Sequence, residues 1–210
     1  MKARHKQPAR ESRNRLRIIA GQWRGRRLSF PDAAGLRPTG DRIRETLFNW
    51  IGPRIAGSRC LDAFAGSGAL GFEALSRGAK AVVMVESDRA VFQQLQASAA
   101  LLGAEGAILA NTSIIHWLEQ AADSPPFDII FLDPPFASDL LAPTVELIAS
   151  RALLAADGLV YIETPANAHP PLPADWHPRR EKRTGNISCK LIALSPGARP
   201  GKDSQLRPEG

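Results

Sequence analysis

Cysteine is scarce in this chain. Of 210 residues only Cys60 and Cys189 are cysteines, and neither lies in a CxxC or Cys/His cluster of metal-ligand spacing. Four scattered histidines (His5, His116, His169, His177) form no HExxH-type pair. These shortages exclude a zinc-built or disulfide-built fold and leave two reduced core thiols in a cytoplasmic protein without a metal. No apolar run approaches the ~18 residues that a membrane helix needs, and the N-terminus carries charge without the apolar segment of a signal peptide. A soluble protein with no membrane partner is expected, monomeric by default.

Acids are nearly missing from the first 27 positions. Glu11 stands alone there against ten basic residues (Lys2, Arg4, Lys6, Arg10, Arg13, Arg15, Arg17, Arg24, Arg26, Arg27). Positions 28 to 210 hold seventeen basic and twenty acidic residues, so the net +6 is a +9 front end on a −3 body. Such a front end suits a polyanion. The body, in a chain that is 44% hydrophobic, is apolar enough to bury the core of one domain.

Residues 1–14 are polar and without periodicity and read as an arm. Leu16–Ala20 and Arg26–Phe30 read as short strands joined through Gly21-Gln22-Trp23-Arg24-Gly25, a turn with two glycines. Pro38-Thr39-Gly40-Asp41 offers helix-start chemistry, and Ile43, Leu47, Trp50 and Ile51 recur at helical spacing until Gly52-Pro53. Arg42, Arg44, Glu45 and Asn49 fall off that apolar face. From residue 59, short apolar runs (Arg59–Phe64, Ala81–Glu86, Ala107–Asn111, Phe127–Leu132, Gly158–Glu163) alternate with helical patterns at about 68–77, 88–102, 114–122 and 139–150. Gly78 and Gly103 are placed as C-terminal caps. This alternation predicts a doubly wound α/β unit, a parallel sheet covered by helices on both faces. Two final strand-like runs, roughly 176–184 and 187–194, flank Gly185-Asn186 and predict an antiparallel hairpin.

Two motifs carry the chemistry. In Asp62-Ala63-Phe64-Ala65-Gly66-Ser67-Gly68-Ala69-Leu70-Gly71, at the end of the first parallel strand, Gly66, Gly68 and Gly71 satisfy GxGxxG. Glu86 ends the next strand, where an acid accepts from ribose hydroxyls. A nucleoside-containing ligand is the reading. NAD and S-adenosylmethionine (AdoMet) share this loop, and Asp62 separates them: a carboxylate at the strand tip repels a pyrophosphate and attracts a methionine ammonium. Asp62 as a strand-end cap is the alternative. The second motif is Asp133-Pro134-Pro135-Phe136, directly after the strand Phe127–Leu132. The Asp133 carboxylate and the Pro134 carbonyl can accept both protons of a planar exocyclic amine, localising its lone pair toward an electrophilic methyl. The prolines stiffen the turn, and Phe136 offers a stacking face. Trp23 reads two ways, as a stacking platform on a basic turn or as cover for the sheet edge.

With these residues in view the chain resembles the RsmD family, bacterial methyltransferases that form 2-methylguanine in 16S rRNA. The matching stretches are Ile18 through Arg26, Arg37 through Trp50, Asp62 through Gly71, Glu86, Asp133–Phe136 and Arg180-Glu181-Lys182, so the resemblance covers about residues 15–194. It implies a class I AdoMet-dependent methyltransferase fold, Rossmann-like, with a seven-stranded, mostly parallel sheet, a C-terminal antiparallel hairpin and an N-terminal β-hairpin and helix. By position it implies that Asp62, Phe64, Ala65, Gly66, Ser67 and Gly68 hold the methionine part, Glu86 and Ser87 the ribose, and the Asn111-Thr112-Ser113 turn the adenine. Similar proteins usually place Asp or Asn where Ser113 stands. Thr39 is expected to close over the cofactor. Arg37, Arg42 and Arg44 on the Arg-Pro-Thr helix, with Trp23, Arg24, Arg26 and Arg27 of the turn, are expected to touch 16S rRNA within the small ribosomal subunit; the alternative for the helix is a solvated face of local ion pairs. Four segments follow: a basic flexible arm (1–14), a hairpin-and-helix extension (15–58), the methyltransferase domain (59–194) and a disordered tail (195–210). Rival readings are an adenine amino-methyltransferase, an NAD-dependent oxidoreductase and a non-catalytic RNA-binding module.

Overall fold

The computed structural model describes residues 15–30, 40–121, 123–135 and 138–195. The arm, Arg37, Thr39, Phe136 and nearly all of the tail lie outside these residues.

Seven strands form the main sheet: β3 (Arg59–Asp62), β4 (Ala81–Glu86), β5 (Ala107–Asn111), β6 (Phe127–Leu132), β7 (Leu154–Pro165), β8 (Trp176–Thr184) and β9 (Ile187–Leu194). Their order is β5-β4-β3-β6-β7-β9-β8; β3 to β7 run parallel, and β9 pairs antiparallel with both β7 and β8. The helices α2 (Ala69–Ser76), α3 (Arg89–Leu102), α4 (Ile114–Gln120) and α5 (Leu141–Ser150) connect the parallel strands. Alternation along each strand divides the core in two. Cys60, Met84, Phe131 and Tyr161 face α2 and α3, whereas Leu61, Val83, Val85, Leu132 and Ile162 face α4 and α5. Both predicted layers are present, and so is the C-terminal hairpin across Gly185-Asn186. β7 is longer than expected because it reaches back to Leu154 through an irregularity in its pairing with β6.

The N-terminal residues form a two-stranded ribbon, β1 (Arg15–Arg17) with β2 (Arg27–Ser29), followed by α1 (Asp41–Ile51) and a short 3-10 turn (Gly52–Ile55). This ribbon packs on the α2 face of the sheet through Leu16, Ile18, Trp23, Leu28 and Phe30. The Gly-Gln-Trp-Arg-Gly turn docks on the end of α2: Gln22 N–H donates to the Ser76 carbonyl at 2.8 Å, Trp23 N–H to Ser76 Oγ at 3.0 Å, and Ser76 Oγ to the Ala20 carbonyl at 2.6 Å. Gly21, at φ +81°, lies so close to the Ser76 carbonyl that a Cβ there would overlap it. Trp23 is therefore a core residue, 8% exposed, and not a stacking platform.

Arg44 also departs from expectation. Residues 44, 47, 48 and 51 form the buried face of α1, and the Arg44 side chain is fully enclosed. It donates to Asp41 Oδ1 at 2.6 Å and to the Arg17 carbonyl at 2.9 Å, and its guanidinium stands 3.5 Å from buried Glu73 on α2. Glu73 in turn accepts from Ile19 N–H (2.8 Å), Ala20 N–H (3.0 Å) and Arg77 Nε (2.7 Å). The Arg77 guanidinium lies 4.8 Å over the Phe48 ring. A cation so enclosed is unavailable to phosphates; Arg44 fastens the extension to the sheet.

Candidate functional site

The strand order reverses between β3 and β6. Chains leaving these neighbours go to opposite sides, and the crevice between their C-terminal ends is where open α/β sheets take ligands. The Asp62–Gly71 loop follows β3 and the Asp133–Pro135 turn follows β6, so the two sequence motifs meet at this crevice.

Four acids line the same end of the sheet. Asp62, Glu86, Asp133 and Glu163 each lie two residues beyond a side chain of the α2-facing core (Cys60, Met84, Phe131 and Tyr161). Alternation therefore places Glu86, Asp62 and Glu163 on that face of β4, β3 and β7, with Asp133 directly after the neighbouring β6. Asp62 is 2% exposed, and its Oδ2 accepts from Gly71 N–H at 2.9 Å in the first turn of α2. Asp62 thus does act as a cap, the alternative role read for it, here serving the helix that follows the strand. Burial pushes the Asp62 carboxyl up to about 7; Asp133 and Glu86 push the same way, against the Gly71 and Phe64 N–H groups.

Glu86, half-buried, bridges two loops. Its Oε2 accepts from Gly66 N–H at 2.9 Å and its Oε1 from Asp88 N–H at 2.7 Å, while Asp88 caps α3. Ser87 beside it is exposed. The Asn111 amide donates to the Glu86 carbonyl at 2.8 Å, and Thr112 N–H donates to the same carbonyl at 3.1 Å. Ser113 is the N-cap of α4, its Oγ accepting from His116 N–H at 3.2 Å. Glu86, Ser87 and the Asn111–Ser113 turn thus share one edge, whereas Phe64 is half-buried and Ala65, Gly66, Ser67 and Gly68 are buried. Gly68 and Gly71 also have internal reasons to be glycine: a Cβ at Gly68 would strike the Phe72 ring, and one at Gly71 would strike Met84.

On the other side of the crevice Asp133 is half-buried, Pro134 buried and Pro135 exposed. The Asp133 charge acts on both Asp62 and Glu163, which sets it between them. Past the turn opens a cavity of about 310 Å³ lined by Pro134, Pro135, Leu141, Glu163, Thr164 and Pro170 among others. Of the basic residues assigned to RNA, Arg24, Arg26, Arg27 and Arg42 are exposed. Among the described residues no group of His, Cys, Asp or Glu could hold a metal ion, and no helix is long and apolar enough to cross a membrane.

Residues 16–193 match the family model described as conserved hypothetical protein 95. The chain is 47% identical over 187 residues to ribosomal RNA small subunit methyltransferase D of Escherichia coli K12, covering 89% of this chain and 93% of that protein. The chain belongs to the RsmD family. It is 45% identical over 182 residues to the same-named protein of Haemophilus influenzae, which covers 86% of this chain and 94% of that one. The solved structure of the putative methyltransferase yhhF from Escherichia coli superimposes with a TM-score of 0.79 at 44% identity, covering 86% of this chain and 98% of that one. The class I methyltransferase fold is accordingly established.

For this RsmD family member, reading by motif missed two groups. The Arg44–Glu73 pair had a signal: Arg44 stands three and four residues before Leu47 and Phe48, and Glu73 is the lone charge in Ala69–Ser76. Glu163 had one too. It closes the apolar run Gly158–Glu163 as Glu86 closes Ala81–Glu86, although β7 itself continues to Pro165.

Proposed function

We propose that the chain transfers the methyl group of AdoMet to the exocyclic 2-amino group of a guanine in 16S rRNA, in the small ribosomal subunit or its assembly intermediate, acting as a cytoplasmic monomer. The carrying observation is the meeting of the Asp62–Gly68 loop and the Asp133–Pro135 turn across the β3–β6 crevice. The relatives' names supply the substrate class.

The residues present fit AdoMet. Asp62 supplies a buried carboxylate for an ammonium, and Glu86, half-buried at the neighbouring strand tip, suits a ribose diol. A dinucleotide fits worse, because its pyrophosphate would face the same acids. Phe64 through Gly68 would hold the methionine part, and Ser87 with the Asn111–Ser113 turn would line the nucleoside. Ser113 already spends acceptor capacity on His116 N–H, which makes it a weaker partner for an adenine amine than Asp or Asn. Arg24, Arg26, Arg27, Arg37, Arg42 and the arm would meet phosphates.

When bound, AdoMet supplies an electrophilic methyl on a sulfonium. The protein's part is alignment. The Asp133 carboxylate and the Pro134 carbonyl accept the two amine protons, turn the amine out of conjugation and aim its lone pair. Once alkylated, the nitrogen holds a strongly acidic proton, which Asp133 is placed to accept. The base must be unpaired or extruded to reach this turn.

The test is labelled-methyl transfer onto naked 16S rRNA, assembled small subunits and DNA, followed by nucleoside analysis. Label in 2-methylguanine of rRNA is expected; label in methyladenine, or none in RNA, overturns the proposal. Asp133→Ala should abolish turnover while AdoMet still binds.

A further inference from the structure

Guanine and adenine differ on the edge that an amine-methylating turn must meet. Guanine presents two neighbouring donors, the 2-amino group and N1–H, whereas adenine presents a 6-amino donor beside an N1 lone pair. A site choosing guanine needs a second acceptor next to the one that holds the amine. We propose that Glu163 is that acceptor, taking the N1–H of the guanine whose 2-amino group Asp133 and Pro134 hold; this rests on the function proposed above.

Four observations carry it. Leu132 and Ile162 are partners in the β6–β7 register, so Asp133 and Glu163 are the next residues of neighbouring strands, on the same face. Glu163 lines the cavity that Pro134 and Pro135 also line. Its side chain is otherwise enclosed, at 3% exposure. Among the described residues the one hydrogen bond to its carboxylate comes from the Tyr161 hydroxyl, 2.7 Å from Oε2, which orients the group and leaves Oε1 to accept.

The surrounding charges set the group's pH response. Asp133 faces it from β6, and Tyr161 lies below it on β7 with Cys189 Sγ of β9 3.3 Å from the same hydroxyl. Lys182 of β8 acts on Cys189, and His169 lines the cavity. Burial, helped by the Asp133 charge, pushes the Glu163 carboxyl up to about 7. The ionised form accepts N1–H and repels an N1 lone pair. Guanine methylation at saturating AdoMet therefore rises with pH through about 7.

The experiment compares small subunits reconstituted with rRNA carrying either guanine or 2-aminopurine at the methylated position. 2-Aminopurine keeps the 2-amino group but has a lone pair at N1. The wild type is expected to prefer guanine by roughly 10- to 100-fold in kcat/KM, the scale of one hydrogen bond to a charged group. In Glu163→Gln the amide can turn either atom toward N1, so the preference should collapse toward parity and the pH rise should flatten, while AdoMet affinity by calorimetry stays unchanged. Tyr161→Phe, which keeps shape, should shift the preference the same way by a smaller factor. If Glu163→Gln and Tyr161→Phe keep the full preference and the pH rise, this inference is overturned and the guanine-methylation proposal stands. If the wild type methylates neither base, both fall.

Discussion

Asp62 meets two demands with one carboxylate. It caps the first turn of α2 through Gly71 N–H, and its charge is what an ammonium would find. Both Asp62 and Glu163 are held near 7, above an unfolded carboxylic acid. A raised acid stabilises the fold only while protonated, so the stability these two add is complete below about pH 4 and is lost as pH rises through about 7. Asp62→Asn keeps an oxygen for Gly71 N–H and removes the charge. Thermal unfolding of this variant should show a shallower stability loss between pH 4 and 7. A cationic ligand reverses the preference, because it favours the ionised form. AdoMet affinity measured by calorimetry should rise with pH to about 7 and then level, with a proton released below it; in Asp62→Asn the affinity should fall roughly 10- to 100-fold and lose that dependence. Three of the four acids were legible as members of motifs. Glu163 belongs to none, and its role depends on register, through the pairing of Leu132 with Ile162.

At the scale of elements, the doubly wound core was legible because each run Ala81–Glu86 or Phe127–Leu132 is apolar throughout and is followed by a helical stripe. The extension was legible as elements but not as a docked unit. Its arginines and tryptophan look the same in sequence whether they face phosphates or a helix, and the partner that decides, Glu73 with Ser76, lies some thirty to fifty residues away. Arg44→Ala leaves buried Glu73 short of a cation. By the usual cost of breaking an enclosed pair it should lose about 3–5 kcal/mol, read as a lowered Tm and denaturant midpoint. Gly21→Ala combines a left-handed backbone with overlap on the Ser76 carbonyl and should be comparably damaging. Arg42→Ala, on the exposed face of the same helix, should leave the unfolding free energy within about 0.5 kcal/mol of wild type and weaken rRNA binding instead.

Across the whole molecule, charge is uneven along the chain. The sheet end gathers four acids, and the positive excess lies in the first 27 residues. Deleting residues 1–14 removes five basic residues (Lys2, Arg4, Lys6, Arg10, Arg13) and one acid. Filter-binding or fluorescence titration over a salt series should show weaker rRNA affinity and a flatter log-log slope, with AdoMet affinity unchanged. Loss of AdoMet binding on this deletion would show that the arm belongs to the fold. The uneven charge is legible in composition alone, because net charge needs no tertiary partner to be read. Composition misleads at residue 58, where the alternating pattern begins and a modular cut would be drawn. Glu73 takes hydrogen bonds from Ile19, Ala20 and Arg77 and the charge of Arg44, so its needs are met from both sides of that line. A fragment starting at residue 59 would bare the apolar flank of α2 around an under-neutralised acid. Expressed alone it should be insoluble, whereas the two pieces produced together should reassemble.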